Sequence, residues 1–578
     1  MDNKQIAEVF NEIGNILDIK GESFFRVNAY RRAALTVTNL PYDLRKMIDG
    51  AGIKEKIPGI GKDLEAKIVE MIETGKCSFV DKIKVGFPVG LLEILKIRGI
   101  GPKKVKLFYN ELAIKTIPEL KKAGEAGMLR TLEKMGEKSE SEILKAIDEF
   151  SQFSSDRTMI NEAQMEAERV IAYLNEFKGM KRIQFCGSLR RRQETIGDID
   201  ILVVADGEGL MEHFCSFEDV INVIAQGDTK SSVIMASGIQ CDLRLVPDES
   251  FGAAAHYFTG SKEHNIRMRD LAKKKGLKLN EYGLMDGDKA VAGKTEEGIF
   301  KKLGLPFIPP EMRQNSGEIE YGLKHGKMPA LVELKDIRGD VHTHSTYSDG
   351  KKSIAEMAKC FKAKGYDYFA VTDHSAAMAV TGGMKDADIR RQWKEIDKLD
   401  VGIKILKGCE VDILKDGTLD FSDEILKELD IVIISAHMFG QLDSDEQTKR
   451  LIAAVENKYS MIMGHPTGRL VNKRKEMDFN MSKVIDACVA NKVALEINAN
   501  PMRLDLVDKY LRMAQEKGAK FVINTDSHDI RHTDFMDFGV GVARRGWLEA
   551  KDVLNTKSWK DMKAYWIGLF KNGWYYSV

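Results

Sequence analysis

The stretch Gly187–Val204 constrains the fold and chemistry of this chain more than any other. A Gly-Ser-Leu turn and three arginines lead into an alternating segment that reads as a strand and carries Asp198 and Asp200. Carboxylates two residues apart on a strand point to one face, where they repel each other unless a hard divalent cation lies between them. The N–H groups of the turn and the arginines suit phosphate oxygens. This combination indicates metal-dependent nucleotidyl transfer; the alternative is a surface acidic pair after a basic turn.

A third acid fits the same pattern. The segment Ile239–Val246 also alternates like a strand and carries Asp242 on its polar face. If this strand lies beside the first, Asp242 joins Asp198 and Asp200 in a site for two metal ions, where it would help to deprotonate an attacking hydroxyl. An exposed strand acid is the alternative interpretation of Asp242.

Composition narrows the remaining possibilities. The 578 residues allow about three to five domains. The 88 basic and 88 acidic residues cancel, so any nucleic-acid binding depends on local patches. The seven cysteines show no Cys-x-x-Cys spacing, which favours a reducing, cytoplasmic location. No run of about 18 apolar residues occurs, so no membrane association is expected.

Residues 1 to about 150 show helical apolar periodicity, and one short pattern occurs twice within them. The pattern, apolar-x-Gly-apolar-Gly before a helix, is that of the helix-hairpin-helix. Its glycines let the backbone approach a DNA phosphate at the helix N-terminus. A plain helix-helix turn is the alternative for either copy. The predicted DNA contacts do not depend on base sequence, because they are made to phosphates. The candidate residues for these contacts are Gly59, Gly61, Gly99, Gly101 and Lys103.

Lys67 lies on the predicted helix that follows the first of these turns. A lysine near bound phosphate can form a Schiff base with an abasic sugar if its pKa is lowered. A solvated helix lysine is the alternative, and composition favours it.

Residues 1 to about 315 resemble the family X DNA polymerases, the group of polymerase beta. The matching segments are the two hairpin motifs, Gly187–Arg191, Gly197–Asp200, Asp242–Leu245 and Tyr257–Ser261. The resemblance implies that Asp198 and Asp200 hold both catalytic ions, Mg²⁺ or Mn²⁺. It further implies that Asp242 holds the ion that activates the primer 3′-hydroxyl.

The same resemblance implies a set of nucleotide-binding residues, namely Ser188, Arg191, Arg157, Tyr257, Gly260 and Asn265. Ser188 and the two arginines would bind the triphosphate. Tyr257 would press against the sugar and exclude ribonucleotides, and Asn265 would touch the edge of the incoming base.

Two further positions follow from this resemblance. Arg269 would contact the template side of the DNA. Lys67 falls on the family's lyase lysine, but Asp63 stands where the lyase members carry a further lysine. This departure weighs against a lyase activity.

From residue 337 the composition changes to alternating strands and helices, as in an α/β barrel. Acids and histidines cluster at the predicted strand ends, where a barrel places its site, and six of the 11 histidines fall in these motifs. The segment Asp340–His344 reads as a strand with His342 and His344 on one face. Mixed imidazole and carboxylate ligands favour Mn²⁺, Zn²⁺ or Fe²⁺, although any one of these histidines alone is better explained by a hydrogen-bonded structural role.

This half resembles the PHP (polymerase and histidinol phosphatase) phosphoesterases over residues 337 to about 570. His-x-His, Thr-Asp-His, Gly-His-Pro and Asp-x-His occur in the order of that family. Candidates for guiding the phosphate are Tyr347, Arg469, the run Lys473 to Lys475 and Arg503, with solvated surface as the alternative. The resemblance implies a centre of up to three metal ions, with the ligands His342, His344, Asp349, His374, Glu410, His437, His465, Asp526 and His528.

The predicted fold is multidomain, with helical helix-hairpin-helix domains, an α+β nucleotidyltransferase palm with a thumb, and a C-terminal α/β barrel of the PHP type. The predicted divisions are 1–90 for the N-terminal helical domain with the first hairpin, 91–152 for a fingers-like helical domain with the second, 153–256 for the palm, 257–315 for the thumb, 316–336 for a polar, irregular linker and 337–578 for the PHP domain.

The expected function is DNA-directed synthesis by a monomer that fills short gaps during repair, using dNTPs and gapped or primer-template DNA. The PHP half is expected to act as a metal-dependent 3′→5′ exonuclease or 3′-end phosphoesterase. The first alternative is a phosphatase of small, histidinol-phosphate-like substrates fused to a vestigial polymerase. The second alternative is a non-catalytic DNA scaffold, in which the clustered acids and histidines of the two sites would have no role. A nucleotidyltransferase acting on tRNA or a drug would not need two hairpin motifs.

Overall fold

The computed structural model describes residues 1–578 apart from 2, 39–43, 47, 50, 51, 54–56, 58, 98, 154–156, 438–441 and 568–578. Pro58 and Arg98 of the hairpin motifs, and the last residues assigned to the PHP domain, lie outside the described residues. The chain forms two compact units, 1–155 and 156–578. Within the described ranges, no helix is both long and apolar enough to span a bilayer.

The first unit is helical apart from one short pair of strands. Its elements are α1 (Asn3–Lys20), α2 (Phe24–Thr38), β1 (Ile48–Asp49), β2 (Gly52–Ile53), α3 (Lys62–Thr74), α4 (Ser78–Lys84), α5 (Gly90–Ile94), α6 (Pro102–Leu112), α7 (Ile117–Glu125) and α8 (Glu137–Phe153). Helix α1 packs on α2 through Ile6, Phe10, Ile13 and Leu17, which are buried because they recur at helical spacing. The two strands are too short to show an alternating pattern, so the all-helical expectation missed them.

A mixed five-stranded sheet begins the second unit. The elements of this region are β3 (Thr158–Met159), α9 (Ile160–Leu174), β4 (Met180–Phe185), α10 (Gly187–Arg190), β5 (Thr195–Ile196), β6 (Asp198–Ala205), α11 (Leu210–Cys215), β7 (Val220–Gln226), β8 (Lys230–Met235) and β9 (Gln240–Leu245). Strands β3 and β5 pair with each other outside the five-stranded sheet. The strand order is β4-β6-β9-β8-β7, in which β6 and β9 run parallel. Ile199, Ile201 and Val203 of β6 are almost completely buried, so Asp198 and Asp200 belong to the opposite face.

A smaller helical layer with its own three-stranded antiparallel sheet follows. Its elements are α12 (Phe251–Thr259), α13 (Lys262–Lys274), β10 (Lys278–Asn280), β11 (Gly283–Asp286), β12 (Lys289–Ala292), α14 (Glu296–Lys302) and α15 (Glu318–His325). Helix α15 lies in the segment predicted to be irregular, and that prediction was wrong. Glu318 is fully buried there and its Oε1 lies 2.7 Å from Nδ1 of His264, a partner that sequence alone does not indicate.

Seven parallel strands in sequential order form the last part of the second unit. The elements are β13 (Gly339–Asp340), α16 (Ile354–Ala363), β14 (Tyr368–Val371), α17 (Asp386–Ile396), β15 (Lys404–Asp412), α18 (Asp423–Leu426), β16 (Ile431–Ser435), α19 (Ser444–Val455), β17 (Ile462–Met463), α20 (Met481–Ala490), β18 (Ala494–Asn498), α21 (Asp508–Glu516), β19 (Phe521–Asn524), α22 (Met536–Arg545) and α23 (Trp559–Ile567). A parallel bridge between Thr343 and Ser527 links the first strand to the last, so the barrel is nearly closed.

The segment Asp340–His344 differs from the regular strand expected there. Strand β13 ends at Asp340, and the two histidines lie in the extended chain that follows. The N–H of Thr343 is bonded at 2.9 Å to the side-chain hydroxyl of Thr372 instead of to a backbone carbonyl. The regular pairing of β13 with β14 therefore ends before the histidines, and beyond it a single bridge joins Thr343 to Ser527, where the N–H of His344 donates to the carbonyl oxygen of Ser527 at 2.8 Å.

Candidate active sites

Two parallel strands bring three acids together at the first site. Strands β6 and β9 pair with Asp200 directly opposite Asp242, and Asp198 lies two residues before Asp200. Gly187 approaches this group from the preceding turn. A Cβ at Gly187 would lie 2.5 Å from Oδ2 of Asp200, and its φ of +60° is in the left-handed region. Glycine therefore permits a close approach that a larger residue would prevent.

The three carboxylates repel one another. Burial, together with the charges of Asp198 and Asp242, raises the pKa of Asp200 to about 7. Burial also acts on Asp242, but hydrogen bonds from Gln240 (2.8 Å) and Lys230 (3.0 Å) outweigh it and lower the pKa of Asp242. A divalent cation with oxygen ligands would relieve such repulsion, so these residues fit the expected metal site.

A cavity of about 410 Å³ opens beside Asp198 and Asp200. It brings together every residue for which a nucleotide role is expected, and also Arg269. The lining residues are Arg157, Gly187, Ser188, Arg191, Asp198, Asp200, Tyr257, Phe258, Gly260, Lys262, Asn265 and Arg269. Phe258 and Lys262 were not predicted as site residues, although they flank the Thr-Gly-Ser turn that was.

Hydrogen bonds fix several of the lining side chains. Arg157 donates from Nε to Oγ1 of Thr195 (3.0 Å) and from Nη2 to the carbonyl oxygen of Thr195 (2.6 Å). The Asn265 amide donates to the carbonyl oxygen of Tyr257 at 2.7 Å. Burial lowers the pKa of Arg191 to about 10, which leaves its guanidinium protonated at neutral pH and able to neutralise a phosphate.

The three arginines of the turn have different surroundings. Arg191 lines the cavity, whereas Arg190 donates from Nη2 to Oε2 of Glu296 at 2.5 Å. Arg192 forms an ion pair with Asp537 of α22. Phosphate binding by Arg191 stays a prediction, and it is less favoured for Arg190 and Arg192 because their guanidinium groups already face carboxylates.

The two hairpin turns have the same geometry. Gly59 and Gly99 both have a φ of +80°, and Gly61 and Gly101 are the N-caps of α3 and α6. Neither N-cap provides a side-chain hydrogen bond, so the first N–H groups of both helices are left for other partners such as phosphate oxygens. Lys103 is exposed in the first turn of α6.

Lys67 lies on α3 as expected, but it is held by neighbours. Its Nζ is 2.6 Å from Oδ1 of Asp63 and 4.9 Å from the ring centroid of Phe79, and its side chain is 12% exposed. The residue that departs from the family pattern thus forms an ion pair with the candidate lyase lysine. The amine would have to leave this pair before it could act as a nucleophile.

The nine predicted ligands of the second site converge beyond the strand ends of the barrel. Eight of them form three groups whose ligand atoms lie within 4.8 Å of one another: His344, Asp349, His374 and His528; His342, His344 and Asp526; and His374, Glu410 and His437. The ninth, His465, places Nε2 at 2.8 Å from Oε1 of Glu410. Since His344 and His374 each belong to two groups, the three groups form one centre.

The imidazoles of this centre are arranged as metal ligands are. Nε2 of His342, both ring nitrogens of His344 and Nε2 of His437 are buried without a hydrogen-bond partner. On the opposite side of the ring, Nδ1 of His342 lies 2.7 Å from Glu496 and Nδ1 of His437 lies 3.0 Å from Asp412. Carboxylates commonly orient metal-bound histidines in this way. The residues therefore fit a centre with several divalent ions.

Two carboxylates of this centre have lowered pKa values, and one arginine lies beside it. Burial opposes ionisation of Glu410 and Asp526, but surrounding histidines hold the pKa of both carboxyls well below their usual range. Arg503 places Nε at 3.3 Å from Oδ2 of Asp526, whereas Arg469 contacts Glu194 of the palm at 2.9 Å instead of the centre.

Sequence reasoning missed the orienting residues Glu496 and Asp412. Both stand in polar motifs at strand ends, Glu496-Ile497-Asn498 and Gly408–Asp412. An acid at a barrel strand end was thus the available signal, but the pattern does not distinguish a ligand from a residue that orients one.

Comparison with known proteins identifies the family. Family models described as helix-hairpin-helix domain, DNA polymerase beta thumb and PHP domain match residues 1–77, 254–314 and 340–500.

The DNA polymerase/3′-5′ exonuclease PolX of Bacillus subtilis (strain 168) is 39% identical over 573 residues, 98% of this chain and 99% of that protein. DNA polymerase lambda of Rattus norvegicus is 27% identical over 343 residues, 54% of this chain and 56% of that protein. A probable phosphatase of Thermoanaerobacter sp. (strain X514) is 31% identical over 229 residues, 38% of this chain and 89% of that protein. The chain belongs to the PolX family, the family X DNA polymerases that carry a C-terminal PHP domain.

Proposed function

We propose that this chain fills short gaps in DNA during repair and trims primer 3′ ends with its PHP centre. The observation that carries the first assignment is the register of β6 and β9. It sets Asp200 opposite Asp242, beside a cavity lined by Ser188 and Arg191. Nucleotidyl transfer requires a phosphate-binding turn in contact with an acidic metal site.

The acids of the palm have separate roles in this proposal. Asp198 and Asp200 would hold two ions, Mg²⁺ or Mn²⁺, and Asp242 one of them. Divalent ions bound there supply charge neutralisation at the transferred phosphate. Asp242, which lies opposite Asp200 on β9, accepts the proton of the attacking 3′-hydroxyl.

The cavity residues bind and orient the nucleotide. Ser188, Arg191 and Arg157 bind the triphosphate, and the half-exposed ring of Tyr257 supports the sugar. A Cβ at Gly260 would lie 3.2 Å from Nη1 of Arg191, so this glycine leaves room for the guanidinium. Asn265 meets the edge of the incoming base.

DNA is bound without regard to its sequence. The uncapped N-termini of α3 and α6 contact backbone phosphates through Gly59, Gly61, Gly99 and Gly101, together with Lys103. Arg269 contacts the template side. We further assign this activity to a cytoplasmic monomer acting on gapped or primer-template DNA with dNTPs, and Lys67 stays a candidate for lyase chemistry.

The PHP centre hydrolyses phosphodiesters in this proposal. Its nine ligands would hold up to three ions, Mn²⁺, Zn²⁺ or Fe²⁺, and such ions activate water and offset phosphate charge when bound. Arg503, whose side chain is 19% exposed, is available to bind the phosphate. The 3′→5′ direction is carried over from the Bacillus relative, whose name includes a 3′-5′ exonuclease.

A second candidate is a phosphatase of small molecules. The likeness of the PHP half to a probable phosphatase favours it. The intact set of palm acids beside a nucleotide-sized cavity weighs against it, because a vestigial polymerase has no need of them.

A 5′-labelled primer on gapped DNA with Mn²⁺, with and without dNTPs, tests both activities. We expect extension with dNTPs that is lost in Asp198→Ala, and shortening without dNTPs that is lost in His342→Ala. Each variant should keep the activity that the other loses. A primer of unchanged length in both lanes would contradict the proposal, and phosphate release from small phosphomonoesters would then test the second candidate.

A further inference from the structure

Glu194 joins the palm to the PHP barrel. Its carboxylate oxygens lie 2.9 Å from Nη1 of Arg469 and 3.0 Å from Nη2 of Arg545, both of which belong to the barrel half. Burial opposes the charge of Glu194, but the two arginines outweigh it and lower the pKa of Glu194. An ionised, partly buried carboxylate between two guanidinium groups is a strong, oriented contact.

On the palm side, this contact leads to the nucleotide cavity. The residue after Glu194 is Thr195, which accepts both hydrogen bonds of the Arg157 guanidinium. The carbonyl oxygen of Arg157 in turn accepts a hydrogen bond at 3.1 Å from Nδ2 of Asn472, a barrel residue. The barrel residue Asn472 therefore holds the backbone of Arg157. Thr195 holds its side chain, and the neighbouring Glu194 is itself bonded to the barrel.

On the barrel side, the contact leads to the metal ligands. Arg469 ends the turn that begins with the ligand His465, and Asp505 accepts hydrogen bonds from the backbone of that turn. Arg469 donates from Nε to the carbonyl oxygen of Arg503 at 2.8 Å and from Nη2 to that of Leu504 at 2.5 Å. Arg503 faces the ligand Asp526.

We propose that Glu194 and Arg469 are positioning residues that connect the two active sites. Glu194 sets the place of Arg157 against the triphosphate, and Arg469 sets the place of Arg503 against the phosphodiester. The barrel thereby contributes to the affinity of the polymerase for dNTP without touching the nucleotide. This inference rests on the proposed function, because it takes Arg157 to bind the triphosphate.

A double-mutant cycle tests the palm side in the full-length protein. The Kd of the next correct dNTP is measured with Mg²⁺ on gapped DNA whose primer ends in a dideoxynucleotide, so that binding is separated from chemistry. We expect Glu194→Gln to weaken binding about fivefold and Arg157→Ala to weaken it at least about tenfold, with the double variant no weaker than Arg157→Ala alone. Multiplied effects in the double variant would overturn the connection.

The cycle also separates the two levels of the proposal. An unchanged Kd in Arg157→Ala would refute the nucleotide assignment itself, whereas a weakened Kd with multiplied effects would refute the connection alone. Thr195→Val removes one acceptor for Arg157 and leaves the Glu194 ion pairs in place, so it serves if Glu194→Gln does not fold. Its effect should likewise disappear in the Arg157→Ala background.

Asp537→Asn is the matched control. It removes the ion pair with Arg192 at the same palm–barrel contact but lies outside the route to Arg157. We expect a dNTP Kd within about twofold of the parent. An effect as large as that of Glu194→Gln would mean that general loosening of the contact, and not this route, governs nucleotide affinity.

Hydrolysis of bis(p-nitrophenyl) phosphate with Mn²⁺ tests the barrel side, because this small diester does not need the polymerase cavity. We expect Arg469→Met to weaken dNTP binding and to raise the KM for the diester, and Arg469→Lys to restore part of both. If Arg469→Met changes one of these two readouts and leaves the other at the parent value, the connection between the sites is overturned.

Discussion

Asp200 and Asp242 face each other across two parallel strands, one from each of two acidic segments that are separate in the chain. We expect Asp242→Asn to reduce primer extension by at least about 10³-fold, because the carboxylate that would receive the 3′-hydroxyl proton is lost. Extension of labelled primer measures the effect. Asp206→Asn is the control, because Asp206 is an exposed acid just after β6 whose side chain forms an ion pair with Lys181. Equal loss in both variants would remove Asp242 from the mechanism.

Gly187→Ala should abolish polymerisation without unfolding the protein. The added methyl group meets Oδ2 of Asp200 at 2.5 Å, so the carboxylate has to move from the cation site. Gly287→Ala is the matched control, because its φ of +56° brings similar backbone strain and its Cβ meets no atom within 4 Å. Both variants should lose about 1 kcal/mol of stability from that strain. Full extension activity in Gly187→Ala would show that the close approach is unimportant.

Glu296→Gln should destabilise the second unit. Glu296 is buried between Arg190 and Arg313, and removing one partner of a buried ion pair costs about 3–5 kcal/mol. Burial raises the pKa of Glu296, but the two arginines outweigh it and lower the value to about 2. Its stabilising contribution is therefore present above pH 4.5 and is lost as the pH falls towards 2.

Denaturant unfolding of the parent and of Glu296→Gln over this pH range checks that prediction. The difference in stability should be largest near neutral pH and should shrink below about pH 4.5. Asp248→Asn, which breaks exposed pairs with Arg182 and Lys294, should change the unfolding midpoint far less. A difference that stays constant with pH would contradict an ionised Glu296.

His344→Ala should remove more metal than any single-group ligand variant such as His437→Ala. His344 belongs to two of the three ligand groups, whereas His437 belongs to one. Metal content by mass spectrometry after dialysis against Mn²⁺ or Zn²⁺ measures this directly. His325→Ala is the control, because His325 stacks on Tyr321 of α15 away from the ligands. We expect no metal loss in the control and intact primer extension in all three variants.

The local parts of both sites could be predicted from the sequence. The period of a strand places Asp198 and Asp200 on one face, and strand-end motifs mark the histidines of the barrel. Contacts between distant segments could not be predicted. Glu194 lies 275 and 351 residues from its partners Arg469 and Arg545, and no local pattern records such a pairing.

The same limit explains two of the differences between the predicted and the observed fold. In the sequence, Glu318 looks like a surface acid, because its buried partner His264 is distant in the chain. Helix α15, which carries Glu318, was therefore predicted to be irregular. The strand through His342 was extended too far because alternation continues in the sequence after the regular pairing of β13 with β14 has ended at Asp340.

The sequential order of the barrel strands has a consequence for how the metal centre is assembled. Each strand pairs with the next one along the chain, so most of the barrel can form by local steps. The exception is the seam, where Val341 bonds to Asn524 across 183 residues and His344 meets Asp526 at 3.1 Å. Metal ligands come from both edges of that seam, His344 from the first edge and Asp526 and His528 from the last, so the centre is complete only in the closed ring. His344 and Asp526 would hold an ion across this seam, so chelation should first separate β13 from β19.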